Sequence, residues 1–190
     1  MLLMLIIAGL LDPLTTKLSN TVFLTGSFIQ TETWALTRET VATRGSLGLA
    51  HPNLFRLLYT DPPGRVTGCD GTRVYTIEPI SGDVLVYGES SPEGFLHLLN
   101  RADADGMIIE GTTAAGLRTV SVRGDMGGGV SGMEVCYTLS DSLPMTFATL
   151  DVNGNETVWV LSGLEAHDSL PLNYFVLEVP DGYSVVSGED

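Results

Sequence analysis

Hydrophobic and polar positions alternate along most of this chain, and the alternation predicts strands. From Val22 to Trp34 the chain reads as extended, with Gly26, Phe28, Gln30 and Glu32 on one face. Val41, Thr43, Gly45, Leu47 and Leu49 then recur at every second position, and His51 continues that face. Pro52-Asn53 breaks the run. Phe55, Leu57 and Tyr59 make the next alternating set, with Arg56 on the opposite face. Thr72 to Ile77 and Val84 to Tyr87 flank Ser81-Gly82-Asp83 as a hairpin. Further strands are predicted at Met107–Glu110, Leu117–Arg123, Met133–Leu139, Met145–Asp151, Val158–Leu161 and Phe175–Val179. Asn153-Gly154 supplies a hairpin turn.

Helical signals are few. Asp12-Pro13 suits a helix start, with Asp12 as N-cap and Pro13 at the first helical position, and Leu14 and Leu18 fall on one face. Ser90-Ser-Pro-Glu93 precedes a brief apolar run, Phe95, Leu96, Leu98 and Leu99. A third short helix is expected near position 170. The expected architecture is therefore mainly β. About eleven strands form a curved antiparallel sheet, with short helices covering one side.

Length fits one domain over residues 12–190, preceded by an apolar segment, residues 1–11. That segment is too short to span a bilayer, which takes about 20 residues. Its length suits the apolar region of a secretory signal, although no basic residue precedes it and no Ala-x-Ala site comes after it. A truncated signal, or a buried or membrane-resting end, is the alternative. Ile7-Ala-Gly-Leu10 has the form of a lipoprotein processing site with Leu in place of the acylated Cys, so no lipid anchor is expected.

The charge balance, 23 acidic against 9 basic residues for a net −14, argues against binding a nucleic-acid backbone or docking on anionic lipid through a basic patch. Cys69 and Cys136 are two small apolar residues or a disulfide, and spacing does not decide between them. No Cys-x-x-Cys is present, so a structural zinc site is not expected. Gly127-Gly-Gly-Val-Ser-Gly132 matches a dinucleotide fingerprint literally. The next residues, Met133 to Leu139, alternate like a strand rather than opening a helix, so the glycines read as a hairpin loop. There is no phosphate-binding loop and no nucleophile elbow, and the three histidines, His51, His97 and His167, sit on separate elements. No catalytic residue, metal or cofactor is expected, and Asn155-Glu-Thr157 reads as turn chemistry.

Several of these pieces, in order, resemble the LolA family, periplasmic carriers of bacterial lipoproteins. They are Leu24-Thr-Gly-Ser-Phe-Ile-Gln30, His51-Pro-Asn-Leu-Phe55, Asp70-Gly71, Pro92 with Leu98-Leu99, Leu150-Asp-Val-Asn-Gly154 and Phe175-Val-Leu-Glu-Val-Pro-Asp-Gly182. The resemblance covers most of residues 12–190. It implies an unclosed antiparallel barrel under a helical lid, with an apolar cavity between them. It also implies a monomeric, non-enzymatic periplasmic chaperone. Such a protein takes the acyl chains of lipoproteins from an inner-membrane transporter and hands them to an outer-membrane receptor of the LolB type. Related proteins of this fold bind glycolipids or sense lipoproteins, so a lipid-binding or sensor protein outside lipoprotein sorting is the alternative.

The candidate cavity residues are Phe28, Leu47, Leu49, Phe55, Leu57, Tyr59, Phe95 and Leu98. Inward residues of a sheet are ordinarily core; a large curved sheet with only short helices leaves an apolar gap. The family writes arginine where this chain has His51. An imidazole there either caps a turn or faces water at a strand end, or it ties the lid to the sheet, holding it less firmly than a guanidinium fork.

Overall fold

A computed structural model of the chain describes residues 9–87, 99 and 107–187. Among the described residues twelve strands form one sheet, β1 (Phe23–Thr33), β2 (Thr40–Ala50), β3 (Leu54–Thr60), β4 (Pro63–Asp70), β5 (Val74–Glu78), β6 (Asp83–Tyr87), β7 (Ile108–Ala114), β8 (Leu117–Gly127), β9 (Val130–Thr138), β10 (Pro144–Asp151), β11 (Glu156–His167) and β12 (Ser184–Ser187). A short helix, α1 (Asp12–Ser19), precedes them. The order across the sheet is β12-β6-β5-β4-β3-β2-β1-β11-β10-β9-β8-β7. Neighbours are antiparallel throughout, by hairpins and by the long-range pairing of β1 with β11, except that β12 lies parallel to β6. β12 and β7 end the order without pairing to each other, so the sheet is an unclosed barrel.

The inner face is continuous from one half of the sheet to the other. Phe55 on β3 and Val122 on β8 are far apart in the strand order, yet both belong to one buried cluster with Leu14 of α1. A flat sheet would hold those strands well beyond the reach of an eight-residue helix. The sheet therefore curls, and α1 spans the concavity. At one end of α1, Leu10 lies against Gly111 of β7, and the phenol of Tyr137 on β9 donates to the Leu10 carbonyl at 2.6 Å. At the other end, Leu18 meets Leu24 and Leu49 on β1 and β2.

Four expectations are corrected. The helix begins at Asp12, not after it. Leu11 is its cap and makes no side-chain cap bond, and Asp12 sits in the first turn, where its charge favours the helix dipole. Pro63–Asp70 forms a strand that the alternation does not predict, because Pro62, Pro63, Gly64 and Gly68 all read as turn residues. Gly68 belongs there because the Tyr75 ring of β5 lies over it, 2.7 Å from where a Cβ would stand. No helix forms near position 170; Tyr174 and Val176 close turns onto Pro171 and Asn173.

Fourth, Phe175–Val179 is not a strand of the sheet. Its alternation is real but serves another surface. Phe175 packs with Phe23 and Ala50, and Leu177 packs against Val66, Tyr75, Ile77 and Val84. This segment is a strap across the outer face of β1–β6. Gly48 of β2 admits the Tyr174 ring, whose Cε1 lies 2.5 Å from where a Cβ would sit. The strap leads into β12, the parallel edge strand.

The helix expected around Phe95–Leu98 lies outside the described residues, as do residues 1–8; the covering lid is therefore not shown. Leu99 is helical and buried in the main cluster. Cys69 and Cys136 lie on β4 and β9 and form no disulfide.

Candidate functional site

The inner face of β1–β3 brings the expected residues together. Phe28 pairs with Gly45, which pairs with Tyr59; Leu47 pairs with Leu57, and Leu49 with Phe55. Phe28, Leu47, Leu49, Phe55 and Tyr59 are buried in the main cluster, and Leu57 is half-buried against it. The small residue at Gly45 sets this geometry. The Phe28 ring comes within 2.9 Å of where a Cβ would stand, and Tyr59 meets Phe28 edge-on with ring centroids 5.3 Å apart. Phe95 and Leu98 lie outside the described residues.

The other half of the interior was not singled out from the sequence, although its period-two signal is present. Val120 and Val122 on β8, Val135 and Tyr137 on β9, and Phe147 on β10 complete the same cluster. Trp159 on β11 packs against it, its ring centroid 5.4 Å from that of Phe147. Burial pushes the Tyr137 phenol above its ordinary pKa, partly opposed by the Arg118 charge.

Polar side chains on this face include Arg118 of β8, which pairs with Tyr137, and a group on β1–β5. Tyr59 donates to Oε1 of Gln30 at 3.0 Å, and Gln30 Nε2 donates to Glu32 at 2.7 Å. Thr67 and Thr76 face each other across β4 and β5 at 3.2 Å, both buried. Arg65 pairs with Glu78 at 2.8 Å and lies 4.9 Å from the Tyr59 ring centroid.

His51 is exposed, in the turn between β2 and β3. It borders a cleft of about 10 Å³ lined also by Leu18, Thr21, Leu24, Leu49 and Ala50. That is room for about one water molecule, so side chains of α1 and of β1–β2 fill the interior here. The position is beside the end of α1 rather than inside the apolar face. A second depression of about 250 Å³ lies against β8–β10; Ser121 and Glu134, bonded at 2.8 Å, help to line it on the face opposite the core.

Among the described residues no group of three His, Cys, Asp or Glu side chains is placed to hold a metal ion. His167 accepts or donates a hydrogen bond with Thr25 at 2.7 Å and rests against Phe23, a structural arrangement. Among the described residues no helix is long and apolar enough to cross a membrane.

The family of the outer membrane lipoprotein carrier protein LolA matches residues 19–178. The chain belongs to the LolA family. LolA-family proteins are carriers or binders, and members are periplasmic. A search of curated protein sequences finds no match. Solved structures share the LolA fold at low identity. An uncharacterized conserved protein from Thermus thermophilus is 16% identical with a TM-score of 0.60, over 95% of this chain and 98% of that one. A domain assigned to outer membrane lipoprotein sorting, from Vibrio parahaemolyticus, is 9% identical with a TM-score of 0.50, over 88% and 94%. MucB is 13% identical with a TM-score of 0.51; 92% of this chain aligns with 63% of MucB.

Proposed function

We propose that this LolA-family chain binds acyl chains within its curled sheet and carries lipoproteins between the inner and outer membranes. The observation that carries the reading is the single apolar face shared by both halves of the sheet and by α1. Phe28, Leu47, Leu49, Phe55, Leu57 and Tyr59 line one side of it, and Val120, Val122 and Phe147 the other. Each acyl CH₂ moved from water into such a surface contributes about 0.8 kcal/mol. Chains of a dozen or more carbons therefore do not cross an aqueous compartment uncovered.

In the structure α1 supplies the apolar groups that a ligand would supply. Leu11, Leu14 and Leu18 fill the concavity. Loading then exchanges one apolar filling for another, and the net preference for cargo stays small enough to permit release. His51 borders the cleft beside Leu18. In this reading it is the latch residue, holding the end of α1 less firmly than arginine. The partners are acylated lipoproteins, an inner-membrane releasing transporter and a LolB-type receptor, and the compartment is the periplasm. The net charge of −14 favours encounter with basic surfaces on those partners.

The exposed position of His51 favours a second reading, a lipid- or glycolipid-binding or sensor protein not engaged in sorting. Purification from the native compartment followed by mass spectrometry of the bound ligand separates the two. Acylated lipoprotein supports the carrier, free lipid supports the alternative, and reproducible absence of any acyl ligand removes both. Loading of wild type compared with His51→Arg and His51→Ala tests the latch; identical loading in all three removes it.

A further inference from the structure

The inner face of β3–β5 is graded from apolar to charged along the strands. On β4 the inward residues are Cys69, then Thr67, then Arg65; on β5 they are Val74, then Thr76, then Glu78. Phe55, Leu57 and Tyr59 run alongside on β3, with Phe55 opposite Cys69 and Leu57 opposite Thr67. Successive levels on one face of a strand are about 7 Å apart. The wall is therefore greasy at the Cys69–Val74 level, carries hydroxyls one step on, and ends in the Arg65–Glu78 pair beside Tyr59 and Gln30.

The middle level is chemically incomplete. Thr67 and Thr76 are 4% and 5% exposed, and their hydroxyls bond to each other at 3.2 Å. Two hydroxyls carry two hydrogens, and one mutual bond uses one of them. The second hydrogen has no acceptor among the described residues. A buried O–H without an acceptor is destabilising, and burying such a pair in an apolar wall needs a reason.

We propose that the Thr67–Thr76 pair is a subsite for one ester carbonyl of a diacylglyceryl ligand. An ester carbonyl accepts and cannot donate, so it complements one spare hydroxyl hydrogen. The order of the wall matches the order of such a ligand: chains against Cys69, Val74 and Phe55, one ester at the threonines, and the polar head at the Arg65–Glu78 rim. This inference rests on the lipid-binding reading above and adds which part of the lipid the protein recognises.

The test compares dipalmitoylglycerol with dihexadecylglycerol ether, which has chains of the same length but no carbonyls. Each displaces a fluorescent fatty acid from the whole chain. The wild type is expected to bind the diester about fivefold more tightly than the diether, the contribution of one hydrogen bond. In the Thr67→Val, Thr76→Val double variant, of nearly unchanged shape, that preference disappears while diether binding stays. Equal binding of the two lipids by the wild type would overturn the subsite alone. A preference retained by the folded double variant would do the same. Binding of neither lipid by the wild type would overturn the lipid-binding reading and the subsite with it.

Discussion

Arg56 reaches from the outer face of β3 to the main-chain oxygen of Tyr174, donating from Nη1 at 2.6 Å, and its guanidinium lies 5.8 Å from the centroid of the Tyr174 ring. The strap has a second hydrogen bond to the sheet one residue on, where Tyr75 donates to the Phe175 carbonyl at 3.2 Å. The outer face of β1–β6 is thus held by one charged and one neutral hydrogen bond over a layer of aromatic rings.

Removing the charged bond should loosen the strap. Arg56→Ala is expected to lower stability by about 1.5–3 kcal/mol, the range for hydrogen bonds involving charged groups. Arg56→Lys should recover part of the loss, since an ammonium donates but lacks the planar fork. Gly48→Ala should act through the same contact, because its methyl would occupy the space of the Tyr174 ring; overpacking of this kind costs about 1–3 kcal/mol. Urea unfolding measures each, and limited proteolysis around residues 170–180 should accelerate in all three.

Asp70 gives a pH dependence with a defined sign. Burial alone would raise its pKa, but hydrogen bonds from the Thr72 hydroxyl and amide and from Arg73 outweigh that and hold the carboxyl at about 2, against an ordinary 3.8. The folded value is depressed, so the stabilisation is present above the unfolded pKa and is lost as pH falls through the window from about 4 to about 2. Asp70→Asn removes a group that titrates there. Between pH 5 and pH 3 the urea midpoint of wild type should fall further than that of Asp70→Asn. An equal fall in both would show that the turn does not contribute.

Leu14 is fully buried between α1 and the sheet. Leu14→Ala should cost about 2–5 kcal/mol if the interior stays as packed as it is without ligand. Addition of a fatty acid that fills the same space should restore part of the loss in the variant, read as a rise in Tm. A Tm unchanged by lipid in both proteins would argue that nothing but side chains enters this region.

Much of this was legible in the alternation of the chain. Phe28, Leu47, Leu49, Phe55 and Tyr59 recur at period two on neighbouring strands, and their pairing places them in one cluster. The Gly127–Gly129 loop is the hairpin turn between β8 and β9, with all three glycines at positive φ. Asp151 and Asn155 organise the β10–β11 turn through bonds of 2.7–2.8 Å, as turn residues do.

The rest depends on physics that a pattern does not carry. Residues 63–70 look like a turn because glycine and proline signal local freedom, whereas Gly68 is there to accept a ring from a neighbouring strand. Residues 175–179 alternate because one side rests on the outer face, and alternation does not say whether the backbone joins the ladder. The polar residues Gln30, Tyr59, Thr67 and Thr76 come from four separate strands and meet only once those strands have paired in register.

The chain has two tryptophans, Trp34 and Trp159, and only Trp159 packs against the interior cluster. In Trp34→Phe it is the sole indole and reports on the interior of the curled sheet directly. Acyl chains brominated near their midpoint quench an indole only at close range. Titrating Trp34→Phe with brominated fatty acid should give saturable quenching, absent with the unbrominated chain, if lipid enters the curled sheet. An unquenched Trp159 at concentrations where the lipid is shown to bind would place the ligand elsewhere and contradict the account.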